Sequence, residues 1–264
     1  MLTEVKNQFK VTLLATKYAI MKESLNKASF LMKVVFMILN NATFIVQWII
    51  LFAIRDNIGG YTFQQVLLLW GVTAGVYGLS HFFFKNAYNL SDKINSGKLD
   101  SYLVQPKNVL ISAITSDIET PALGDLLYGF IVLFIYGISL QVLLLFLLFI
   151  ITGALILTSM TVIVNSLSFW FQKSDMIAET TTSMMTNFAT YPEGIFGGAV
   201  KVLLFTMIPV GFTVYFPVRV ITEFNIFQLV IVLAVTMITI ALAFIIFYKG
   251  LKRYSSSNLM SARI

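Results

Sequence analysis

Cysteine is absent from this 264-residue chain, and histidine occurs once, as His81. The chain therefore has no disulfide, no thiol nucleophile and no thiolate metal site, and one histidine cannot build a histidine metal cluster. Charged residues make up only 11% of the chain, where a soluble domain carries about a quarter. With 58% hydrophobic residues, too few polar side chains remain to cover a soluble globule.

The apolar residues are concentrated in runs of about 20, the length that crosses a bilayer core of ~30 Å at ~1.5 Å per residue. The first such run begins too late, and is too long, for a cleavable signal peptide. Residues 139–141 join the third and fourth runs closely, which predicts a tight hairpin. We predict an all-α integral membrane protein with about six transmembrane helices, at Val34–Ile54, Phe63–Phe84, Pro121–Ile138, Val142–Asn165, Ile195–Phe216 and Ile226–Tyr248.

The 18 basic residues divide unequally between the two sides of these spans. Sixteen lie before the first span, between spans two and three, between spans four and five, or after the sixth; they include Lys173, Lys201 and Arg263. Only Arg55 and Arg219 lie on the other side. The positive-inside rule then predicts a multi-pass protein of a cytoplasmic (inner or plasma) membrane, with both termini in the cytoplasm. The same rule explains the net charge of +6 without nucleic acid as a partner.

The first 28 residues predict a helix that does not span the membrane. Its apolar residues recur at spacings of three and four, which places them on one helical stripe flanked by lysines. We interpret this segment as a helix in the inner membrane interface, with a soluble helix packed on a partner as the alternative. The stripe consists of Val11, Leu14, Tyr18, Met21 and Leu25.

The residues needed for an enzyme or an ion-coupled carrier are missing. The sequence Gly78–His81 places a serine beside the histidine, but adjacent helical residues point about 100° apart and do not face each other. We therefore predict a structural role for His81. Asp125, one turn inside the third span, is the nearest case of a membrane-embedded charge; we predict a structural pairing with a basic loop residue, and a proton site is the alternative. A phosphate-binding loop for ATP is also absent.

Small and polar residues inside the spans predict helix contacts. Gly71 and Gly75 form a Gly-x-x-x-Gly face in the second span, suited to a dimer or to a contact between spans. Asn40, Asn41 and Gln47 in the first span need hydrogen-bonding partners, either on a neighbouring helix or in a cavity.

The segment Asn89–Pro106, after the second span, predicts a short cytoplasmic helix. Ser91 suits the N-cap and Asp92 the first turn, Gly97 can end the helix, and Pro106 closes the segment. Four further side chains are too apolar to leave in water without a partner surface, namely Ile94, Leu99, Tyr102 and Leu103.

At this segment the chain resembles the ABC-2 type permeases, in particular the compact six-span subfamily encoded apart from its ATPase. The pattern Ile-x-x-Gly-x-Leu-x-x-Tyr-Leu-x-x-Pro is matched in register by Ile94, Gly97, Leu99, Tyr102, Leu103 and Pro106. Further matches along the chain are Gly60-Tyr61, Phe169-Trp170, Tyr191-Pro192, Pro209-Val210-x-Phe212 and Pro217. The chain departs from the family at Val218–Glu223, where a Leu/Gly-rich turn is usual.

The resemblance implies a single ABC-2 type transmembrane domain over 1–264, with an interfacial helix at 1–28 and a coupling loop at 85–120. Two membrane subunits, copies or related chains, would pair above two ABC-type ATPase subunits that bind ATP and Mg; this chain would be no enzyme and hold no cofactor. Pro209 and Pro217 would help form an outer gate. Coupling to the ATPase would fall to Ser91, Asp92, Ile94, Gly97, Leu99, Tyr102, Leu103 and Pro106.

By the same resemblance, a cargo cavity would lie between paired spans two and five. Its aromatic and apolar character predicts a hydrophobic or amphipathic cargo (drug, lipid or peptide), unless these side chains pack against neighbouring helices instead. We therefore expect the permease subunit of an ATP-driven exporter; a secondary carrier or passive channel without an ATPase, an ABC importer subunit and a membrane enzyme are the alternatives. The predicted lining is Trp70, Tyr77, Phe205, Met207 and Phe212.

Overall fold

A computed structural model of the chain describes residues 2–171 and 174–255, with 2–5 described by backbone alone. Lys173 and Arg263, two of the predicted cytoplasmic charges, lie outside the described residues. The described part contains helices and no β-strand. The α-helices are α1 (Leu2–Glu23), α2 (Lys27–Ile54), α3 (Phe63–Tyr88), α4 (Leu90–Asn95), α5 (Asp100–Leu103), α6 (Val109–Ile114), α7 (Ala122–Tyr136), α8 (Leu140–Ser166), α9 (Asp175–Ala189), α10 (Gly198–Phe205), α11 (Phe216–Thr222) and α12 (Ile226–Leu251).

Four of these helices are long and apolar enough to cross a membrane: α2, α3, α8 and α12. The shorter apolar helix α7 precedes α8, and their junction is the predicted tight hairpin. Gly137, at φ +112°, ends α7, and the Ser139 hydroxyl accepts a hydrogen bond from the Val142 N–H to cap α8. Positive φ suits glycine because it has no Cβ. The all-α membrane fold is thus confirmed.

Helix α3 forms the centre of the bundle. It packs most extensively on α7 and α8, and Leu68, Leu69 and Val72 are fully buried. A Cβ added at Gly78 would collide with the α7 backbone at Leu126, so the glycine permits the close approach. Gly71 and Gly75 likewise face α7 and α8, so the predicted contact between spans is confirmed.

The buried carboxylate of Asp125 has an amide partner. Its Oδ1 accepts a hydrogen bond of 2.6 Å from Asn41 Nδ2 on α2, and both side chains are buried. The predicted basic loop partner is therefore wrong, while the predicted bond from Asn41 to a neighbouring helix is confirmed. Pairing two polar groups inside the bundle avoids leaving either one in lipid without a partner.

The two ends of the bundle differ, and we name them by their loops. The loop end holds α4, α5, α6 and the 3₁₀-helix Leu167–Phe169; the far end holds the turn of residues 55–62 between α2 and α3. At the loop end, α1 is fixed by Gln8, whose Oε1 accepts from the Asn108 N–H at 3.0 Å. Thr16 and Ala19 face inward. The predicted apolar stripe of α1 is exposed, as expected for contact with lipid: Val11, Leu14, Tyr18 and Met21. The helix ends at Glu23, earlier than predicted, so the exposed Leu25 lies in the turn before α2.

The predicted fifth span is wrong. The segment Ile195–Phe216 is not one helix but the short α10, a break at residues 206–210, a π-helical turn at Gly211–Tyr215 and the start of α11. Pro209 has no N–H with which to continue a helix, and the Phe205 ring lies against Gly211 where a side chain would not fit. The apolar run therefore folds back as a hairpin, which we call the far-end hairpin (residues 198–222).

The passage between the two ends is made by α9 and residues 190–194. Ser174 bonds Ser168 at the loop end, Thr73 in the middle of α3 donates to the Ala189 carbonyl at 3.0 Å, and Gly194 abuts Gly59 at the far end. The hydropathy of the sequence did not predict α9 as a span, because its 15 residues include four threonines, a serine and an asparagine.

This topology also corrects the side of the membrane that the sequence predicted for Lys201. Its Nζ lies 2.9 Å from Glu193 Oε1, and Arg219 bonds the other oxygen of the same carboxylate. Lys201 therefore belongs with Arg219 at the far end, not with the charges between spans four and five. The count changes from sixteen against two to fifteen against three, so the asymmetry that predicts the orientation persists.

Candidate functional site

A polar groove of about 600 Å³ lies between α3 and α9 near the loop end. On α9 the lining residues recur every three or four positions, as one face of a helix does. The groove is closed toward the loop end by α4 and by Asn165 of α8. Its polar lining is Tyr77, Tyr88, Asn89, Ser91, Asp92, Asn165, Asp175, Glu179, Thr182, Ser183, Thr186 and Asn187.

Helix α9 is held against the bundle by contacts along the edge of the groove. Ala178, Met185 and Ala189 are buried against the bundle, and the hydroxyls of the lining residues Tyr77 and Thr186 share a hydrogen bond. The rest of the groove face is hydroxyl, amide and carboxylate, which lipid would not solvate. An aqueous path between two membrane helices fits this lining.

His81 lies beside the groove in a stack of aromatic rings. The centroid of its ring lies 4.5 Å from the ring centroid of Tyr77 and 4.0 Å from that of Tyr88. The Ser80 hydroxyl points away and hydrogen-bonds Thr158 and Tyr88, each at 2.8 Å. The geometry agrees with the structural role predicted for His81, because serine and histidine do not meet as a nucleophile and its base.

The coupling loop predicted from sequence is two short helices, α4 and α5, joined by a turn. Gly97 adopts φ +76° directly after the C-cap Ser96, so its predicted role in ending the helix is confirmed. The predicted N-cap is wrong: α4 begins at Leu90 after Asn89, without a side-chain cap. Ser91 lies within the helix and is buried.

The apolar residues of this loop divide between the protein's interior and its surface. Ile94 and Leu99 are buried in the chain's own cluster with Leu110 and Phe247, so the partner surface that we expected for them is intramolecular. Leu103 is instead exposed. The outer face of the loop is formed by Asp92, Lys98, Ser101, Leu103, Val104, Gln105 and Pro106.

Lys93 holds this loop together and was not singled out by the sequence. Its buried Nζ donates to Tyr102 Oη at 2.9 Å, to the Ala113 carbonyl at 3.0 Å and to Ser116 Oγ at 3.1 Å. Three bonds to one ammonium join α4 to α5 and α6, and charged donors make the stronger hydrogen bonds. No local pattern predicts this, because the three partners lie 9 to 23 positions away.

A chain of buried hydroxyls connects the loop to the groove. Ser91 bonds Ser168, and Ser168 bonds Ser174 at the start of α9. The Ser91 N–H also donates to Asn165 Oδ1 at 3.3 Å. All four side chains are buried, so hydrogen bonds through Ser168 join α4 to the loop-end terminus of α9.

The five residues predicted to line a cargo cavity do not meet in one chain. Only Tyr77 lines the groove. Trp70 is buried and stacks on Phe44 of α2 at 5.1 Å, while Phe205 and Phe212 pack on each other in the far-end hairpin at 5.6 Å. The fifth, Met207, is 69% exposed. The prediction assumed that span five, at the hairpin, lies beside α3; in the structure α9 occupies that place.

The predicted gate residues lie in the far-end hairpin. Pro209 stands at its break, and Pro217 is in the first turn of α11. The nearly fully buried carboxylate of Glu193, between α9 and the hairpin, binds both Lys201 and Arg219. Through this buried carboxylate, charge-assisted hydrogen bonds connect both arms of the hairpin.

These features first define a class: a multi-pass α-helical membrane protein with a polar groove between two helices. The described residues contain no group of acidic or histidine side chains that could hold a metal. The chain matches the model of the family described as ABC-2 family transporter protein over residues 17–258 and belongs to that family. It is thus the transmembrane subunit of a transporter. Comparison with curated proteins and with solved structures gives no match.

Proposed function

We propose that this chain is the permease subunit of an ATP-driven exporter, with the loop end facing the cytoplasm. The observation that carries the proposal is the continuous contact from the exposed face of α4–α5, through the Ser91 and Ser174 hydroxyls, to the wall of the groove. Leu103 and Val104 give the loop an exposed apolar edge, since they are 41% and 84% exposed. Such an edge suits contact with a partner protein.

The mechanism follows from this contact. Family membership implies an ABC-type ATPase as partner; we propose two copies, which bind ATP and Mg and seat the α4–α5 face. ATP shifts the permease between inward- and outward-open states only if the docked ATPase binds the two states differently. Displacement of α4 moves the start of α9 through the hydroxyl chain. The far-end hairpin, held by Glu193, then opens as the outer gate.

A second membrane subunit would cover the outer face of α9. In a single chain this face exposes one polar side chain, Thr180, among the apolar side chains of Met176, Ile177 and Met184. Thr180 bonds its own helix, so the face tolerates either lipid or another helix. We propose that a second copy or a related chain packs here and brings two grooves together.

The lining favours an amphipathic cargo over a purely hydrophobic one. Tyr77 and Tyr88 offer aromatic surface, while hydroxyls and amides line the remainder. Asp175 and Glu179 bring carboxylates to the same groove, which would favour a cargo with a positive charge. A cationic drug, lipid or peptide fits this combination.

The test is affinity purification of the tagged chain from native membranes, with co-purifying proteins identified by mass spectrometry. A Leu103→Asp, Val104→Asp double variant changes the exposed docking edge without entering the core. Leu25→Asp is the matched control, because Leu25 is an 87% exposed leucine between α1 and α2. We expect an ABC-type ATPase with the wild type and the control, and its loss from the double variant.

Two results would oppose the proposal. If the double variant retains the ATPase, the docking face is wrong. If the wild type brings down no ATPase and moves solute when reconstituted alone, the chain is a secondary carrier or passive channel.

A further inference from the structure

A second cavity, of about 1040 Å³, lies between α1, α3, α6 and α8. It shares no lining residue with the polar groove, since α3 contributes Leu79 and Phe83 here but Tyr77 there. These residues point to different sides of one helix. The cavity is thus separate from the groove, although Gln105 and Pro106 of the proposed docking face border its loop end.

The lining of this cavity changes from apolar to polar along its length. Its walls are apolar side chains of α3 and α8, including Leu79, Ile151 and Leu155. Its polar groups gather at the loop end, where Lys107 and Asn108 face α1. Such an arrangement matches a molecule with an apolar tail and a polar head.

The depth of the cavity matches one leaflet of a bilayer. Leu155 and Ile151 lie 11 and 15 positions before Ser166, the last residue of α8, which corresponds to ~16 and ~22 Å of helix rise. One leaflet contributes half of a hydrocarbon core of ~30 Å, or about 15 Å. The apolar walls therefore reach from the loop end to about the middle of the membrane.

The polar end of the cavity carries the charge of Lys107, which lines the cavity and is partly buried. Its ammonium forms no ion pair with any residue whose side chain the structure describes, in 6–171 and 174–255. The neighbouring amides are already used, because Gln8 accepts from the Asn108 N–H and Asn108 caps α6. A lysine in this setting is complementary to an anionic headgroup.

We propose that this cavity is a binding site for one anionic phospholipid of the leaflet at the loop end. Its acyl chains lie between α3 and α8, and its phosphate is bound by Lys107 at the floor formed by α1. The bilayer supplies such a molecule at the height of the cavity. The site is distinct from the proposed cargo groove and would tie the interfacial helix α1 to the bundle.

The test is native mass spectrometry of the full chain released from detergent micelles. Palmitoyl-oleoyl phosphatidylglycerol is added in steps, and palmitoyl-oleoyl phosphatidylcholine, with the same chains and a zwitterionic head, is added in parallel. Leu155→Trp fills the apolar end and Lys107→Gln removes the charge. The matched controls are Leu144→Trp, at a lipid-exposed position of the same helix, and Lys27→Gln, at an exposed lysine outside the cavity.

We expect the wild type and both controls to retain one phosphatidylglycerol per chain, at least fivefold more tightly than phosphatidylcholine. Lys107→Gln should bind the two lipids equally, and Leu155→Trp should retain neither. Equal retention by Leu155→Trp and the wild type, or no lipid on the wild type, would overturn the site. An unchanged preference in Lys107→Gln would overturn the assignment of the headgroup to Lys107.

Discussion

The two ends of the α9 segment are held by different chemistry. At the far end, one buried carboxylate, Glu193, binds the two cations Lys201 and Arg219. At the loop end, neutral hydroxyls provide the connection, from Ser91 through Ser168 to Ser174. Neutral hydrogen bonds contribute about 1 kcal/mol each, whereas removing one partner of a buried ion pair costs ~3–5 kcal/mol. We therefore expect the loop end to be displaced more easily than the far end, where the ion pairs of Glu193 resist separation.

Glu193→Gln tests the ion pairs of the far end and should cause the largest loss of stability. The variant leaves Lys201 and Arg219 without their shared counter-charge; because both are partly exposed, we expect a loss of stability of ~2 kcal/mol rather than the full cost of a buried pair. Thermal unfolding in detergent measures it. Glu223→Gln, an exposed acid beyond α11, is the control and should change little. Equal unfolding midpoints for both variants would show that the ion pairs of Glu193 do not stabilise the far end.

Lys93→Met tests whether the hydrogen bonds of Lys93 hold α4, α5 and α6 together. The substitution removes three hydrogen bonds from one buried ammonium, and bonds to charged groups are worth ~1.5–3 kcal/mol. We expect faster hydrogen exchange over residues 90–116 and weaker retention of the ATPase. Lys98→Met should leave the exchange unchanged, because its ion pair with Asp92 is exposed. Identical exchange in the two variants would mean that Lys93 does not organise the loop.

Ser174→Ala tests the link between the loop and the groove. One buried hydroxyl contact is lost, so stability should fall by only about 1 kcal/mol, while cargo moved per ATP hydrolysed should fall several-fold. The readout is the ratio of transport to ATPase activity in reconstituted vesicles. Thr43→Ala, at an exposed threonine of α2 outside the groove and the docking face, is the control. A ratio unchanged by Ser174→Ala would exclude the hydroxyl chain as the path of coupling.

The pH dependence of α1 docking gives the smallest effect. The hydrogen bonds to Glu23 from Lys33 and Thr120 lower the pKa of that carboxyl from its ordinary value of 4.5. Stability from this pair is therefore fully present above pH 4.5 and lost as pH falls through the lowered pKa; at a partly exposed pair it amounts to ~0.2–1 kcal/mol. The difference in melting temperature between wild type and Glu23→Gln should shrink toward zero in acid. A difference that is constant with pH would assign the effect to packing.

The sequence by itself determined the membrane class, most of the spanning helices and the family. These depend on local properties: runs of apolar residues long enough for a bilayer, the glycine that ends α4, and the ordered pattern from Ile94 to Pro106. Each is set by neighbours along the chain, so it can be identified without knowing what packs against it.

Only the tertiary structure decided which segment crosses near the groove and which folds back. The hydropathy of Ile195–Phe216 exceeds that of α9, yet Pro209 breaks the first and burial against α3 holds the second. The roles of Lys93, Ser91 and Glu193 were likewise hidden, because their partners lie far away in sequence. Burial and pairing are properties of distant contacts, and local composition does not contain them.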